Sequence, residues 1–419
     1  VTSPPAADAP ARNEFAAGWR VVAASALGTM CGITAVPAFS LPAFVQSLTA
    51  EFGWSRAEII AGAGICSITI ALVSPFVGAA VDRFGARRVA LASVVGVSIG
   101  LALVSVLANS LFGFYAAFVL ATILGAGTSP VTWTRTVNGW FDKQRGLALG
   151  LTLMGTGIFS ALGPAYATWA IGAFGWRGGY VALAAVPLVL ALPFTFLWFR
   201  EARPDEVPSP HRAAAAAASG ASVGEALRSY KFWVIGTAFF LISACVAGMI
   251  GNLFPLLTDS GFTRESAAAT AGLIGIAIIV GRVGVGILID RLWAPAVGAV
   301  VVALPALACI ILANGGLTPT TAAAAAILIG LAAGAEFDLV AFLAVRYFGL
   351  KNYGKIYAYL FGALIGGSAF GGVGFASAFD RTGSYDPALW TAFVLYIVCA
   401  ASLLTLGRYA RYGEESASG

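Results

Sequence analysis

The sequence predicts an all-α membrane protein, with twelve transmembrane helices arranged as two six-helix bundles. Three observations predict it. The 419 residues are 59% hydrophobic and only 10% charged, whereas a soluble domain carries about a quarter charged residues. Apolar segments of roughly 20 residues, each long enough to cross a ~30 Å hydrocarbon core, recur along the whole length. The second half also repeats landmarks of the first at an offset of 207 or 208 residues. The alternating strands of a membrane β-barrel are absent from the pattern.

Taken in order, residues 1–18 (VTSPPAADAPARNEFAAG) contain Pro, Ala and a few charges but no apolar core. They predict a cytoplasmic tail rather than a cleavable signal peptide. Six spans follow, at 19–48, 57–82, 87–108, 111–140, 144–173 and 176–199, bounded by charges, Gly/Pro clusters and short polar turns. They form an N-terminal bundle over 19–200. Residues 201–229 are charged, Pro-containing and Ala-rich, the composition of a cytoplasmic linker. Six more spans, at 232–258, 265–290, 294–314, 319–346, 353–379 and 387–408, make a C-terminal bundle over 230–409. Residues 410–419 form a second cytoplasmic tail.

Orientation follows from the distribution of basic residues. With both termini cytoplasmic, only four of the 24 Lys/Arg (Arg56, Arg177, Arg264 and Arg381) fall on the far side, and Arg135 and Arg282 fall within spans. The expectation is a multi-pass inner-membrane protein. The repeat sets the architecture. GAAVDR at 78–83 returns as GILIDR at 286–291, and the arginine of FGWSR (Arg56) returns in SGFTR (Arg264), both 208 residues on. WF at 140–141 matches YF at 347–348, and Gly127 matches Gly334, at 207. A direct repeat of six helices implies two bundles related by an axis along the membrane normal, with a substrate path between them.

GAAVDRFGARR, residues 78–88, resembles the G-x-x-x-D-R-x-G-[RK]-[RK] signature of the major facilitator superfamily. Its members here are Gly78, Asp82, Arg83, Gly85, Arg87 and Arg88, with a reduced second copy at Gly286, Asp290 and Arg291. A generic basic cytoplasmic loop is the plainer reading, but it does not explain the second copy. Gly78 would let two helices approach closely, and Asp82 could accept hydrogen bonds from a neighbouring helix N-terminus. The arginines would hold the loop at an anionic leaflet. The resemblance covers nearly the whole chain and implies the major facilitator fold.

A narrower likeness lies at 140–155, WFDKQRGLALGLTLMG. It resembles the monocarboxylate transporter signature at Phe141, Lys143, Arg145, Leu147, Ala148, Gly150 and Gly155, and departs from it at Trp140, Gln144, Thr152 and Met154. That family's acidic-Gly-aromatic-Trp motif before span one survives as Glu14, Gly18 and Trp19. The resemblance implies the bacterial branch near monocarboxylate transporters and oxalate/formate antiporters.

The five cysteines all fall within apolar segments without paired spacing, so they read as small core residues rather than disulfides or metal ligands. The single histidine, His211, lies in the linker. Glycine series such as GALIGG lack a Walker or dinucleotide context and read as helix packing. No nucleophile–base set, metal cluster or cofactor motif stands out, so an enzyme is not expected. Nor is a nucleic-acid partner.

The charges within the membrane carry the functional reading. Arg282 lies eight residues before Asp290, roughly 12 Å from the cytoplasmic end at 1.5 Å per residue. A mid-span arginine costs on the order of 2.5–3.5 kcal/mol on insertion scales. A structural ion pair is the bland explanation. The sharper one is a carboxylate anchor, because guanidinium offers a planar two-pronged donor set. In the family it resembles, an arginine of the eighth helix has that role. The Asp that monocarboxylate transporters carry four residues earlier is Ile278 here, and span one holds no lysine.

Glu336 and Asp338, in span ten, lie at nearly the depth of Arg282. Two residues apart on a helix means about 200° of rotation, so both cannot face one cavity. Transfer of the polar stripe of span four (Thr128, Thr132, Arg135 and Asn138) by 207 residues favours Asp338 for contact with Arg282. It leaves Glu336 at a helix–helix seam. Bacterial relatives' use of an acid in this helix points instead to Glu336, and proton carriage stays shared between the two. Arg135 reads equally as a gate, a fold-stabilising pair or a substrate contact. Asn252 and Tyr357 are further cavity candidates, Tyr357 sharing a face with Tyr353.

The expected function is secondary transport of a small organic anion, a monocarboxylate, by alternating access with proton symport, by a chain working as a monomer in the lipid bilayer. The alternatives are an anion exchanger of the oxalate/formate type or an exporter of amphipathic compounds. A transporter-like receptor that moves nothing would need no mid-membrane charges.

Overall fold

The computed structural model describes residues 14–203, 206, 219–314 and 316–409. Most of the N-terminal tail, much of the linker with His211, and the C-terminal tail lie outside the described residues.

Ten helices among them are long and apolar enough to cross a membrane. One, Arg145–Trp198, holds two crossings, because Gly175 at φ 69° turns the chain within it. A further crossing is made by two stacked segments, Glu14–Met30 and Val36–Phe52. The twelve crossings are α1 (that pair), α2 (Arg56–Phe84), α3 (Ala86–Leu107), α4 (Leu111–Gly125 and Pro130–Trp140), α5 (145–174) and α6 (176–198). The second six are α7 (Tyr230–Asp259), α8 (Arg264–Arg291), α9 (Ala294–Ala313), α10 (Pro319–Phe348), α11 (Tyr353–Thr382) and α12 (Asp386–Leu404). Local signals set their starts. Ser55 and Glu58 form a capping box at α2, and Thr318 with Thr321 does so before Pro319 at α10, satisfying N–H groups that a helix start leaves unpaired.

Two spans that read as continuous in the sequence are broken. α1 opens at 31–35 and α4 at 126–129, near the middle of each crossing. Pro130 lacks an N–H and Pro37 follows the first break, so neither ladder continues unbroken. The freed groups find each other: the Ile33 N–H donates to Thr128 Oγ1 at 2.9 Å, and that hydroxyl donates to Gly125 O at 2.7 Å. Gly32 permits the approach, since a Cβ there would lie 2.8 Å from Thr128 O.

Within the second half, α7 packs on α11, α8 on α10, and α9 on α10 and α12. The halves meet chiefly through α2 against α11 and α5 against α8. Both seams are built on facing glycines. A Cβ on Gly78 would sit 2.2 Å from Gly354 O, and one on Gly286 2.5 Å from Gly146 O. Gly78 and Gly286 are 208 residues apart, and so are Gly146 and Gly354.

Candidate functional site

The α8–α10 contact comes from a row of small residues. Gly330, Gly334 and Asp338 recur at four-residue spacing and therefore share one face of α10. The two glycines bring the backbones together: a Cβ on Gly334 would lie 2.3 Å from Ile278 O, and one on Gly330 2.7 Å from Ile274 O. The next residue in the row, Asp338, is thereby aimed at α8 one turn beyond Ile278. Arg282 stands there.

Arg282 Nη1 lies 3.5 Å from Asp338 Oδ1, and Nη2 donates to Thr156 Oγ1 of α5 at 3.2 Å. The guanidinium carbon sits 5.4 Å from the centre of the Phe337 ring. Arg282 is 3% exposed and Asp338 0%. Arg282 Nε and Asp338 Oδ2 have no partner among the described residues. A buried cation and anion joined by one long contact leave hydrogen-bonding capacity on both, and a carboxylate ligand could use the two-pronged donor set of the arginine. Gly150 lets α5 join them, since a Cβ there would lie 2.7 Å from Arg282 O. The Arg282 site thus takes residues from both halves of the chain.

Glu336 is also buried but points elsewhere, towards Ser243 of α7, with Cys245 and Tyr396 in the same region. Its Oε1 has no partner among the described residues. Tyr357 is fully buried in a stack with Tyr353 at 5.2 Å, and its hydroxyl has no hydrogen-bond partner among the described residues, while Tyr353 donates to Thr134 Oγ1 at 3.0 Å. Asn252 donates to Gly248 O at 2.9 Å and to Gly372 O at 3.4 Å, which ties α7 to α11.

The signature loop forms a separate cluster at the end of the bundles where residues 14 and 409 lie. Asp82 accepts the N–H groups of Gly354 (3.1 Å) and Lys355 (3.0 Å) at the start of α11. Asp290 does the same for Gly146 (2.6 Å) and Leu147 (2.9 Å) at the start of α5. Each carboxylate faces the positive end of a helix in the other half. Arg135 lies 3.7 Å from Asp82 and so belongs to this cluster. The stripe of span four is therefore not one cavity-facing surface: Thr128 fills the break in α1, and Arg135 joins the loop. Gly85 at φ 84° turns the chain between α2 and α3, a conformation glycine adopts without strain. Arg87 donates to Phe196 O at 2.6 Å, and Arg83 lies over the Phe84 ring at 5.2 Å. Arg88 and Arg291 are exposed.

Sequence reasoning passed over Thr156, one hydroxyl among many in apolar helices. It placed Glu14 and Arg145 in the monocarboxylate-type signature without predicting their burial, yet both are buried. Glu14 accepts the N–H groups of Asp142, Lys143 and Gln144, and Phe15 packs on Phe141 at 4.8 Å. The two parts of the monocarboxylate-type signature, 14–19 and 140–155, touch each other.

A family model described as Major Facilitator Superfamily matches residues 21–372. The chain belongs to this superfamily. Its helices long and apolar enough to cross a membrane agree with the multi-pass fold of that superfamily. Among its relatives, Monocarboxylate transporter 11 of Mus musculus is 28% identical over 280 residues, which is 66% of this chain and 61% of that one. The chain thus spans about three fifths of that relative's length. The Gallate transporter of Pseudomonas putida is 27% identical over 397 residues, 83% of this chain and 84% of that one. YhjX, an uncharacterized MFS-type transporter of Escherichia coli (strain K12), is 24% identical over 75% of this chain and 78% of its own length. The solved human organic anion transporter MFSD10 (TETRAN) superposes with a TM-score of 0.68 at 17% identity, covering 92% of this chain and 99% of that one. The Escherichia coli fucose:proton symporter FucP superposes with 0.67 at 14%, covering 94% and 98%. At such identity these two likenesses concern the fold of this major facilitator.

Proposed function

We propose that this major facilitator moves a small organic anion, a monocarboxylate, across the inner membrane together with a proton, with both termini in the cytoplasm and the linker joining bundles 19–200 and 230–409. One observation carries the reading: a buried arginine at mid-membrane is held on one side by an aspartate and on the other by a threonine of the opposite half. The relatives named for monocarboxylate and gallate transport carry carboxylates, which agrees with a guanidinium anchor.

Ionised Asp338 occupies Arg282. A proton on Asp338 cancels its charge and releases the guanidinium, which then takes the substrate carboxylate in two-pronged contact. Substrate and proton therefore load together. Thr156 links the loaded arginine to the first half, so binding bridges the two bundles, while Phe337 and Tyr357 offer apolar surface to the body of the anion. Asn252, engaged with α7 and α11 carbonyls, acts on the packing around the site. Glu336, off the Arg282 face, shares proton carriage through the α7–α12 seam. The Asp82 and Asp290 contacts close the cytoplasmic side, and Arg135 acts there as part of the gate.

Uptake of radiolabelled small monocarboxylates into proteoliposomes with an imposed pH gradient tests this. Accumulation driven by an acidic exterior is expected. Counterflow without any accumulation would mean exchange of anions instead.

A further inference from the structure

The ends of α1, α4 and α6 on the face that carries the termini enclose a cleft of about 210 Å³. Trp19, Arg20, Trp140, Leu197, Trp198 and Arg200 line it, all of them in the first half and none at the Arg282 site. The indoles are held in place by one another and by the chain. Trp19 meets Trp198 edge-on at 5.4 Å, and Trp140 donates to Arg200 O at 2.9 Å while its ring lies 5.0 Å beneath the Arg200 guanidinium.

The two cations are not equivalent. Arg200 is paired through both terminal nitrogens with Glu206, and these hydrogen bonds hold the Glu206 carboxyl well below the usual carboxylate range. Arg20 rests over the Trp19 ring at 5.6 Å, and no carboxylate among the described residues pairs with it. Among the described residues the cleft therefore keeps a net positive charge. Its rim is apolar and open: Trp19 is 47% exposed and Leu197 68%. Both stand where the membrane helices end, the depth at which indole rings and lipid head groups meet.

We propose that Arg20, set beside Trp19, Trp140 and Trp198 at the ends of α1 and α6, binds the phosphate of an anionic membrane phospholipid, whose chains run down the membrane face past Leu197. A guanidinium presents paired donors to phosphate oxygens, and the indoles wall the head group on its other sides. The exposed apolar rim selects a lipid over a water-soluble phosphate ester, because only a lipid covers Leu197 as well. The bound lipid would bridge α1 and α6, and so brace the α1 end that carries the Glu14 contact.

The test uses the full chain purified in detergent, with native mass spectrometry counting bound phosphatidylglycerol and phosphatidylcholine. Phosphatidylglycerol is expected to survive at energies that strip phosphatidylcholine. Arg20→Gln should weaken its retention about fivefold, as for the loss of one basic side chain at a charged surface. Arg20 is exposed, so the variant should fold, and an unchanged circular dichroism spectrum checks this. Glycerol 3-phosphate added in excess should not displace the lipid. Equal retention in Arg20→Gln would overturn the proposal, and so would displacement by glycerol 3-phosphate. Neither result depends on the identity of the transported substrate.

Discussion

Asp82 and Asp290, 208 residues apart, make the same contact in mirrored places: each carboxylate accepts two backbone N–H groups at the start of a helix in the other half. The partners, Gly354 and Gly146, keep the same offset. The repeat in the sequence is thus also a repeat of the joints between the bundles. Either aspartate alone leaves one joint intact. Asp82→Asn and Asp290→Asn should each raise the population open on the side that carries residues 14 and 409, and the double variant should raise it further. Spin-label distances across the ends of α2 and α11 on that side would report this. Equilibrium substrate affinity measured within one conformation should change little, because the joints bias only the opening equilibrium.

The glycine seams make a sharper steric prediction. A Cβ at Gly146 would fall 2.3 Å from Gly286 O, a backbone atom that cannot step aside. Gly146→Val should therefore prevent closure between α5 and α8. Transport should be lost while the protein still inserts and runs as a monodisperse peak. Full transport by this variant would mean that the seam parts without ever closing this tightly.

Thr156→Val removes one hydrogen bond from a buried guanidinium without changing side-chain volume much. Loss of a hydrogen bond to a charged group is expected to weaken substrate binding about tenfold. Thr156→Ser keeps the hydroxyl and should restore most of it. Calorimetric titration of the purified variants separates the two outcomes; equal affinity in all three proteins would remove Thr156 from the site.

Much of this was legible in the residues. The crossings follow apolar length and the charges that bound it; the expected 319–346 and 353–379 are found as Pro319–Phe348 and Tyr353–Thr382. The breaks in α1 and α4 were not, because CGITA at 31–35 stays apolar, AGTS at 126–129 is a short run of small residues within a longer apolar span, and only Pro37 and Pro130 mark the interruption. The direction of Asp338 has a local signal besides the repeat register, which also favours it for contact with Arg282. Gly330 and Gly334 lie on its face, and small residues four apart mark where a helix meets its neighbour. The burial of Glu14 and Arg145 has no such signal. It arises from contact between the start of α1 and the loop after α4, which are 128 residues apart at the Glu14–Asp142 bond.

Arg282→Lys keeps the charge and loses the planar fork. Insertion and thermal stability should be retained, and substrate affinity should fall by roughly tenfold or more. Wild-type affinity in the lysine variant would make Arg282 a structural residue.

Substrate binding measured across pH in Asp338→Asn and Glu336→Gln bears most directly on the coupling of proton and anion at Arg282. In the wild type, affinity should rise as pH falls, because the proton that neutralises Asp338 frees the arginine. Asp338→Asn mimics the protonated form, so it should bind with little pH dependence, sustain counterflow, and fail in proton-driven accumulation. Glu336→Gln should lose transport while its binding keeps the wild-type slope with pH. If Glu336→Gln alone flattens that slope and Asp338→Asn retains it, the Asp338–Arg282 pair is not where the proton acts.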